Sequence, residues 1–577
     1  MRALLGARAI IVTRMRINPG TTRASIRSDP RRALVAAALL ALALGSAFFP
    51  QGAWPAPPQE DNSARTDVAR FQERANATLL SSGAVKGYWG VLVTDADTGE
   101  VLYALNPARY FTPASNVKLF TTVLALAALG RDFRIHTTIE TLGHLDRSGI
   151  LKGDLVLVGR GDANLSSRTF PYSDKAPRQG PPETVLAAMA DQVVAAGVKQ
   201  IDGDIVADDT YFVPARFPPG WTVDDTVWSY GAAVSSISVN DNSLNIEVKP
   251  ADRAGAPLRY RIDPASRLYD VRNEATTTPA RTEPQLRLSR DPESRLFVLG
   301  GTLPVGAAPR ELSVAVTEPA ENAADLLARL LEIRGIRISG HTRANHPLNV
   351  APGQSTTPAP SSPTILADHV SPPLIEDVLL TNKISQNLHA EMMLRVAARE
   401  KAAALTLDDA VKFATQFYQS IGLAPDDVLL ADGSGLSRND LVTPQSVVQL
   451  LAYAVHQPWG EGFLTSLPIA AADGTLANRM KSTSAAGRIR AKSGTFDRVD
   501  SLSGYATTLG GEHLIFAMFG NNIGTRNRDA AAVLDALCAA MVEELGAGSP
   551  PPGPATPPAS GSPPSLDSDP PSLPAPQ

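Results

Sequence analysis

Apolar residues recur at helical spacing over 63–84, then alternate with polar ones at 87–94 and 101–105 around Asp95-Ala96-Asp97-Thr98-Gly99, which predicts a helix followed by a hairpin. The strongest helical pattern covers 113–129, where Leu119, Phe120, Val123, Leu124 and Ala127 fall at helical spacing and Gly130 stops the run. From 137 to 345 the chain reads as many short strands with turn glycines at 149, 153, 159 and 203, broken by helices at 183–196 and 320–334. Helical spacing returns at 374–382, 388–400, 407–421 and 444–454, three closely spaced strands follow at 488–492, 501–508 and 513–520, and a last helix covers 528–545. A helix and hairpin at one end, a meander and helix at the other and a β-rich block between them predict one α/β (α+β) domain split by an insertion.

Both ends depart from these patterns. Arg31-Arg32 precede a 17-residue apolar stretch at 33–49, with Gly45-Ser46-Ala47 as a small-residue cleavage site and Pro50 just beyond. That combination reads as a secretory signal, with an uncleaved membrane anchor as the alternative and Met15 as a second candidate start. The segment 548–577 carries 12 prolines among Ser, Gly and Ala and no apolar periodicity, the composition of a disordered tail. The division is therefore 1–62, export segment and linker; 63–136 and 374–547, the two parts of the split domain; 137–346, the inserted β-rich domains with a nested subdomain at about 238–308; 347–373, a Pro-, Ser- and Thr-rich linker; and 548–577, the tail.

Composition sharpens the picture in three places. A net charge of −5, from 53 basic and 58 acidic residues in 577, argues against a general nucleic-acid binder. The one cysteine, Cys538, excludes an internal disulfide framework and suits an exported protein; its apolar helical setting reads as core. Only 11 of the 53 basic residues are lysine, so a lysine at a special position carries information. The eight histidines show no metal-ligand spacing and there is no Walker A or His-Glu-x-x-His motif, so no cofactor or metal is expected. The absence of a Gly-x-Ser-x-Gly elbow argues against an α/β-hydrolase triad.

Three short motifs carry candidate chemistry. Ser115-Asn116-Val117-Lys118 opens the strong helix, and residues at i and i+3 share a face. A serine hydroxyl needs a base to become a nucleophile, and a desolvated lysine can supply one where arginine cannot. The helix start also offers free N–H groups to a developing oxyanion. Ser385-Gln386-Asn387 falls between two helices, where the hydroxyl could relay a proton and the amide could bond a peptide. Lys492-Ser493-Gly494-Thr495 ends a strand, with a lysine and hydroxyls for a carboxylate and a glycine that admits a substrate backbone. Each alone also reads as a helix cap, a turn or a surface lysine, but their order and setting match the pattern of penicillin-recognising serine enzymes.

Longer phrases narrow the match. They are Ser371-Pro372-Pro373-Leu374 leading into Thr381-Asn382-Lys383-Ile384-Ser385-Gln386-Asn387-Leu388-His389-Ala390-Glu391, then Asp432-Gly433-Ser434-Gly435-Leu436-Ser437-Arg438, Ser466-Leu467-Pro468-Ile469-Ala470 with Asp473-Gly474-Thr475-Leu476, and Ser501-Leu502-Ser503-Gly504-Tyr505. On these the chain, over about 66–545, resembles the D-alanyl-D-alanine carboxypeptidase/endopeptidase family, the class C low-molecular-mass penicillin-binding proteins (peptidase family S13). The 270-residue gap from Ser115 to Ser385 is similar to that of this family, whose members carry two inserted domains there.

The resemblance implies a penicillin-recognising transpeptidase/β-lactamase-like fold with Ser115 as acylated nucleophile, Lys118 as proton acceptor and Ser385 as proton relay. It implies that Asn387 holds the peptide, that Lys492 supports the relay, and that Ser493 and Thr495 bind the terminal carboxylate. The backbone N–H groups of Ser115 and Thr495 would form the oxyanion hole. A pocket for the diaminopimelate end of the stem peptide would use Arg438 and an aspartate of the insertion, Asp208, with Asp209 beside it as the alternative. The implied partners are peptidoglycan stem peptides and, as covalent inhibitors, β-lactams; the implied place is the periplasm. Competing readings are a β-lactamase-like hydrolase and a weakly active wall-binding scaffold, and the balance of carboxypeptidase and endopeptidase action stays open.

Overall fold

Val91 and Val93 point to one side of the strand Tyr88–Asp95 and Leu92 to the other, and both sides are buried, so this strand must lie inside a sheet covered on two faces. In the computed structural model, which describes residues 65–81, 84–175, 177–213, 215–347, 362–524 and 527–546, that sheet has five antiparallel strands. Their order across the sheet is Val101–Leu105, Tyr88–Asp95, His513–Asn521, Val499–Thr507 and Ile489–Phe496, so the first and last parts of the chain share one sheet.

The helices Thr66–Leu79 and Asn527–Glu544 cover one face, where Phe71, Trp89, Phe516, Leu534 and Met541 pack together. Cys538 lies there fully buried, and burial raises its thiol pKa, as suits a small core residue. Six helices cover the other face: Val117–Leu129, Leu374–Ile384, Asn387–Ala402, Leu407–Ser420, Pro444–Val455 and Gly460–Ser466. The register explains the sorting: Ile515, Ala517 and Phe519 face this helical layer, while Leu514, Phe516 and Met518 face the other.

The insertion leaves and returns at adjacent points. Ser371 N donates to Ile135 O at 2.9 Å and Ile135 N donates to Ser371 Oγ at 2.9 Å, so the split domain closes behind it. Its larger part holds a five-stranded sheet, in the order Thr342–Asn345, Ile205–Asp208, Leu155–Val158, His136–Thr141 and Thr364–Val370, beside a smaller sheet and the helices Thr184–Ala195 and Pro319–Ile333. The nested part has its own apolar core of Leu244, Ile246, Phe297, Leu299 and Val314.

Three expectations change. The expected linker 347–373 is part strand: Thr364–Val370 pairs with His136–Thr141, because the Pro-, Ser- and Thr-rich run gives way to Ile365, Leu366 and Ala367, and the last two join the insertion's core. The nested part runs past the expected 308, since Arg310–Ala315 returns to pair with Ser243–Lys249. The strong helix starts at Val117; Ala114–Asn116 before it is a 3₁₀ turn. The apolar stretch 33–49, the Pro-rich tail 548–577 and most of the linker lie outside the described residues.

Candidate active site

The 3₁₀ turn sets Ser115 one turn ahead of Lys118, and the rest of the site converges on that pair. Lys118 is fully buried, with its Nζ 2.9 Å from Ser115 Oγ, 2.6 Å from Asn387 Oδ1 and 2.6 Å from the Ser434 carbonyl oxygen. Burial lowers its pKa to about 7, against the opposing pull of Asp432, Glu391 and Asp440. Near neutral pH a large fraction of the amine is therefore unprotonated, 2.9 Å from a hydroxyl it could deprotonate.

The turn itself is held under strain. Ala114 has φ 48°, a left-handed conformation costly for a residue with a Cβ. Gly435, at φ +76°, lies so close to it that a Cβ there would come within 2.0 Å of Ala114 O. On the opposite side Ser501 Oγ donates to Pro113 O at 2.7 Å and accepts from Asn116 Nδ2. Gly494 of the strand Ile489–Phe496 presses on the same turn, with room for no Cβ: one would lie 2.8 Å from Ser115 N.

The loop of Gly435 is organised by Asp432. Its Oδ1 accepts from Ser434 N and Gly435 N, and its Oδ2 accepts from Ser437 N and, at 2.8 Å, from Trp221 Nε1. This accounts for the phrase Asp432-Gly433-Ser434-Gly435-Leu436-Ser437-Arg438: a buried aspartate bends the loop so that the Ser434 carbonyl reaches Lys118 and Arg438 reaches the cleft.

Ser385 ends the helix Leu374–Ile384 in a left-handed conformation at φ 60°. Lys492 Nζ donates to Ser385 Oγ at 3.0 Å and to Ser493 O at 2.7 Å. Burial, and after it the neighbouring Lys118, holds the Lys492 pKa well below the usual lysine value, so two full ammonium charges here are disfavoured. Asn387 accepts from Lys118 and donates from Nδ2 to the Tyr230 carbonyl of the insertion at 2.8 Å. Two residues further, His389 is fully buried between Asp377, at 2.5 Å, and Asp241 of the insertion, at 3.1 Å. Burial works against its charge, but the two carboxylates outweigh it and hold the imidazole pKa up at about 9, so His389 ties the Ser385–Asn387 turn down as a cation.

Ser115, Asp225, Tyr230, Ser385, Asn387, Arg438 and Thr495 line one cleft of about 470 Å³. Ser493 Oγ donates to Thr475 Oγ1 at 2.8 Å, and Thr495 Oγ1 donates to Asp500 Oδ1 at 2.9 Å. Arg438 stacks 4.8 Å over the Phe496 ring.

Asp208 and Asp209 do not reach this cleft. Asp208 ends a strand of the insertion, accepting from Thr210 N at 2.9 Å and Asn345 Nδ2 at 2.6 Å, so it closes a turn. Asp209 is buried against Ser235 and His346. The aspartate beside Arg438 is Asp225, 3.0 Å from Arg438 Nη1, on a 3₁₀ turn five residues before Tyr230. A signal for it exists: Trp221, Trp228 and Tyr230 cluster around Asp224-Asp225 in a stretch without strand pattern, the kind of segment that carries binding residues. Glu391, Asp432 and Thr475 also join the site without a role assigned from the sequence, although each lies in one of the longer phrases.

The model of the D-Ala-D-Ala carboxypeptidase 3 (S13) family matches residues 73–541. The D-alanyl-D-alanine carboxypeptidase of Actinomadura sp. (strain R39) is 33% identical over 495 residues, covering 84% of this chain and 86% of that protein. The D-alanyl-D-alanine carboxypeptidase DacB of Haemophilus influenzae is 26% identical, covering 76% and 86%. The crystal structure of penicillin binding protein 4 (dacB) from Haemophilus influenzae superposes with a TM-score of 0.68 at 23% identity, over 82% of this chain and 98% of that one, so the split domain and its insertion share that fold. Given a family match over most of its length and a serine, Ser115, held close to the buried Lys118, the chain belongs to the D-Ala-D-Ala carboxypeptidase 3 (S13) family and is a serine-type carboxypeptidase.

Proposed function

We propose that this enzyme cleaves the terminal D-Ala-D-Ala bond of peptidoglycan stem peptides through an acyl-enzyme on Ser115. The observation that carries this reading is the 2.9 Å approach of Ser115 Oγ to the buried Nζ of Lys118. Unprotonated Lys118 takes the hydroxyl proton as Oγ attacks the carbonyl carbon of the penultimate D-Ala. The oxyanion that forms is met by the N–H groups of Ser115 and Thr495, a reading supported by the close packing of Gly494, the residue before Thr495, on the Ser115 turn. The proton held by Lys118 then returns through the hydroxyl of Ser385, itself held by Lys492, to the departing amine as the C–N bond breaks, and Lys118, free again, takes a proton from the water that hydrolyses the ester. Ser493, Thr495 and Lys492 receive the terminal carboxylate. β-Lactams would acylate the same serine.

Asp225 and Arg438 supply opposite charges at one end of the cleft, which suits the zwitterionic end of a diaminopimelate side chain. Asp225→Ala is expected to raise KM about tenfold or more for peptides bearing that side chain, with kcat little changed and no effect on short acyl-D-Ala-D-Ala peptides, because a lost charged hydrogen bond costs about 1.5–3 kcal/mol. Steady-state kinetics on the two peptide classes checks it. Export through the apolar segment 33–49 belongs to the same proposal; among the described residues no helix is long and apolar enough to cross a membrane. Digestion of purified sacculi tests the whole reading: free D-Ala reports carboxypeptidase action, conversion of cross-linked dimers to monomers reports endopeptidase action, and neither product would refute it.

A further inference from the structure

Thr495, proposed to receive the substrate's terminal carboxylate, has its hydroxyl committed to another carboxylate. It donates to Asp500 Oδ1 at 2.9 Å, from the directly paired position on the neighbouring strand. Asp500 is only 3% exposed, and its other oxygen, Oδ2, is buried without a hydrogen-bond partner among the described residues. A buried carboxylate oxygen with no donor pays for its lost hydration, so this site favours the neutral acid. A threonine hydroxyl has one proton to give. While Asp500 is ionised that proton points to Asp500; once Asp500 is protonated, its own O–H can donate to Thr495, freeing the threonine proton for the cleft.

We propose that Asp500 is a specificity-determining residue that makes recognition of the substrate's terminal carboxylate depend on its own protonation, acting through Thr495. This rests on the reading of Thr495 as a carboxylate-binding residue. Burial pushes the Asp500 pKa up to about 6, against the Thr495 hydrogen bond and the Arg479 charge that favour the anion. Other charged groups lie near Asp500 among the described residues. Arg479 is ion-paired to Asp535 of the helix Asn527–Glu544 at 2.6 Å, and Asp497 and Arg498 at the hairpin tip are exposed and lie 3.8 Å apart. Lys492 lies on the same edge strand as Thr495, and loss of its proton weakens carboxylate binding in the same direction as ionisation of Asp500. Removal of Asp500 separates the two effects.

The test uses the inert Ser115→Ala protein and calorimetric Kd values from pH 5 to 8 for an N-acylated peptide ending in D-Ala-D-Ala carboxylate and for its C-terminal carboxamide. The carboxylate peptide is expected to bind about tenfold more weakly at pH 8 than at pH 5, the scale of one pKa unit of coupling between two neighbouring carboxyl groups, with the carboxamide unaffected. Adding Asp500→Asn should remove the share of the pH dependence that Asp500 causes and leave carboxylate binding at pH 8 tighter than in the parent; since this variant deletes a buried charge, its melting temperature should not fall. A parallel loss for both peptides in the parent, or an unchanged loss in Asp500→Asn, overturns the proposal. Should the carboxylate peptide bind no better than the carboxamide at any pH, the carboxylate reading of Thr495 fails as well, whereas penicillin labelling of Ser115 in otherwise unaltered protein reports separately on the catalytic reading.

Discussion

Replacing Lys118 with methionine is expected to lower the rate of penicillin acylation by about 10³-fold or more. The substitution keeps the length of the side chain in its fully buried slot but removes the only amine within hydrogen-bond reach of Ser115 Oγ among the described residues. A general base contributes about 10²–10⁴-fold, and the loss should fall at the high end because no second base bonds that hydroxyl among the described residues. The same residue sets the pH profile. Its folded pKa is lowered from 10.5 to about 7, and the base form lies above that value. Acylation of the parent enzyme should therefore rise about tenfold per pH unit below 7 and level off above it, while Lys118→Met stays low at every pH. Labelling kinetics with a fluorescent penicillin from pH 5.5 to 8.5 checks both parts.

Gly494→Ala is expected to be the next most damaging change, although it adds one methyl group and touches no catalytic side chain. Its Cβ would lie 2.5 Å from Ser501 Oγ, 2.7 Å from Pro113 O and 2.8 Å from Ser115 N. Two of these three are backbone atoms of the turn that carries Ser115, so relief requires the strand and the turn to separate. That separation displaces the Ser115 N–H from the place where an oxyanion would form. Loss of one such donor costs about 10²–10³-fold in rate, and the overpacking should destabilise the fold by about 1–3 kcal/mol. Labelling rate and thermal unfolding, measured on the same sample, should both fall.

Much of the catalytic layer is legible in the amino-acid sequence. The helix of Lys118 shows itself through Leu119, Phe120, Val123 and Leu124, and the strands at 499–507 and 513–521 through short apolar runs near the end of the chain. The scarcity of lysine in an arginine-rich chain makes Lys118 and Lys492 stand out, and the fold buries both completely beside the two serines. What the sequence hides has physical reasons. Gly460–Ser466 spans two turns, too short for periodicity to declare it. Thr364–Val370 follows a proline-rich run and is a strand only because His136–Thr141 offers it an edge. Asp225 sits on a 3₁₀ turn with no repeating pattern, and its partner Arg438 lies 213 residues further along. Asp208 fits the pocket only by its position in the chain, and that position does not fix which carboxylate faces a cleft assembled by an insertion folding back on its host.

The most direct test of the catalytic assignment is mass spectrometry of the protein after brief exposure to benzylpenicillin. The unaltered enzyme should gain the mass of one intact penicillin, and proteolysis should place it on the peptide containing Ser115. Ser115→Ala should gain none, and Ser385→Ala should still form the adduct at Ser115, more slowly. An adduct on Ser115→Ala, or one located on any residue other than Ser115, would contradict the assignment of the nucleophile and the mechanism built on it.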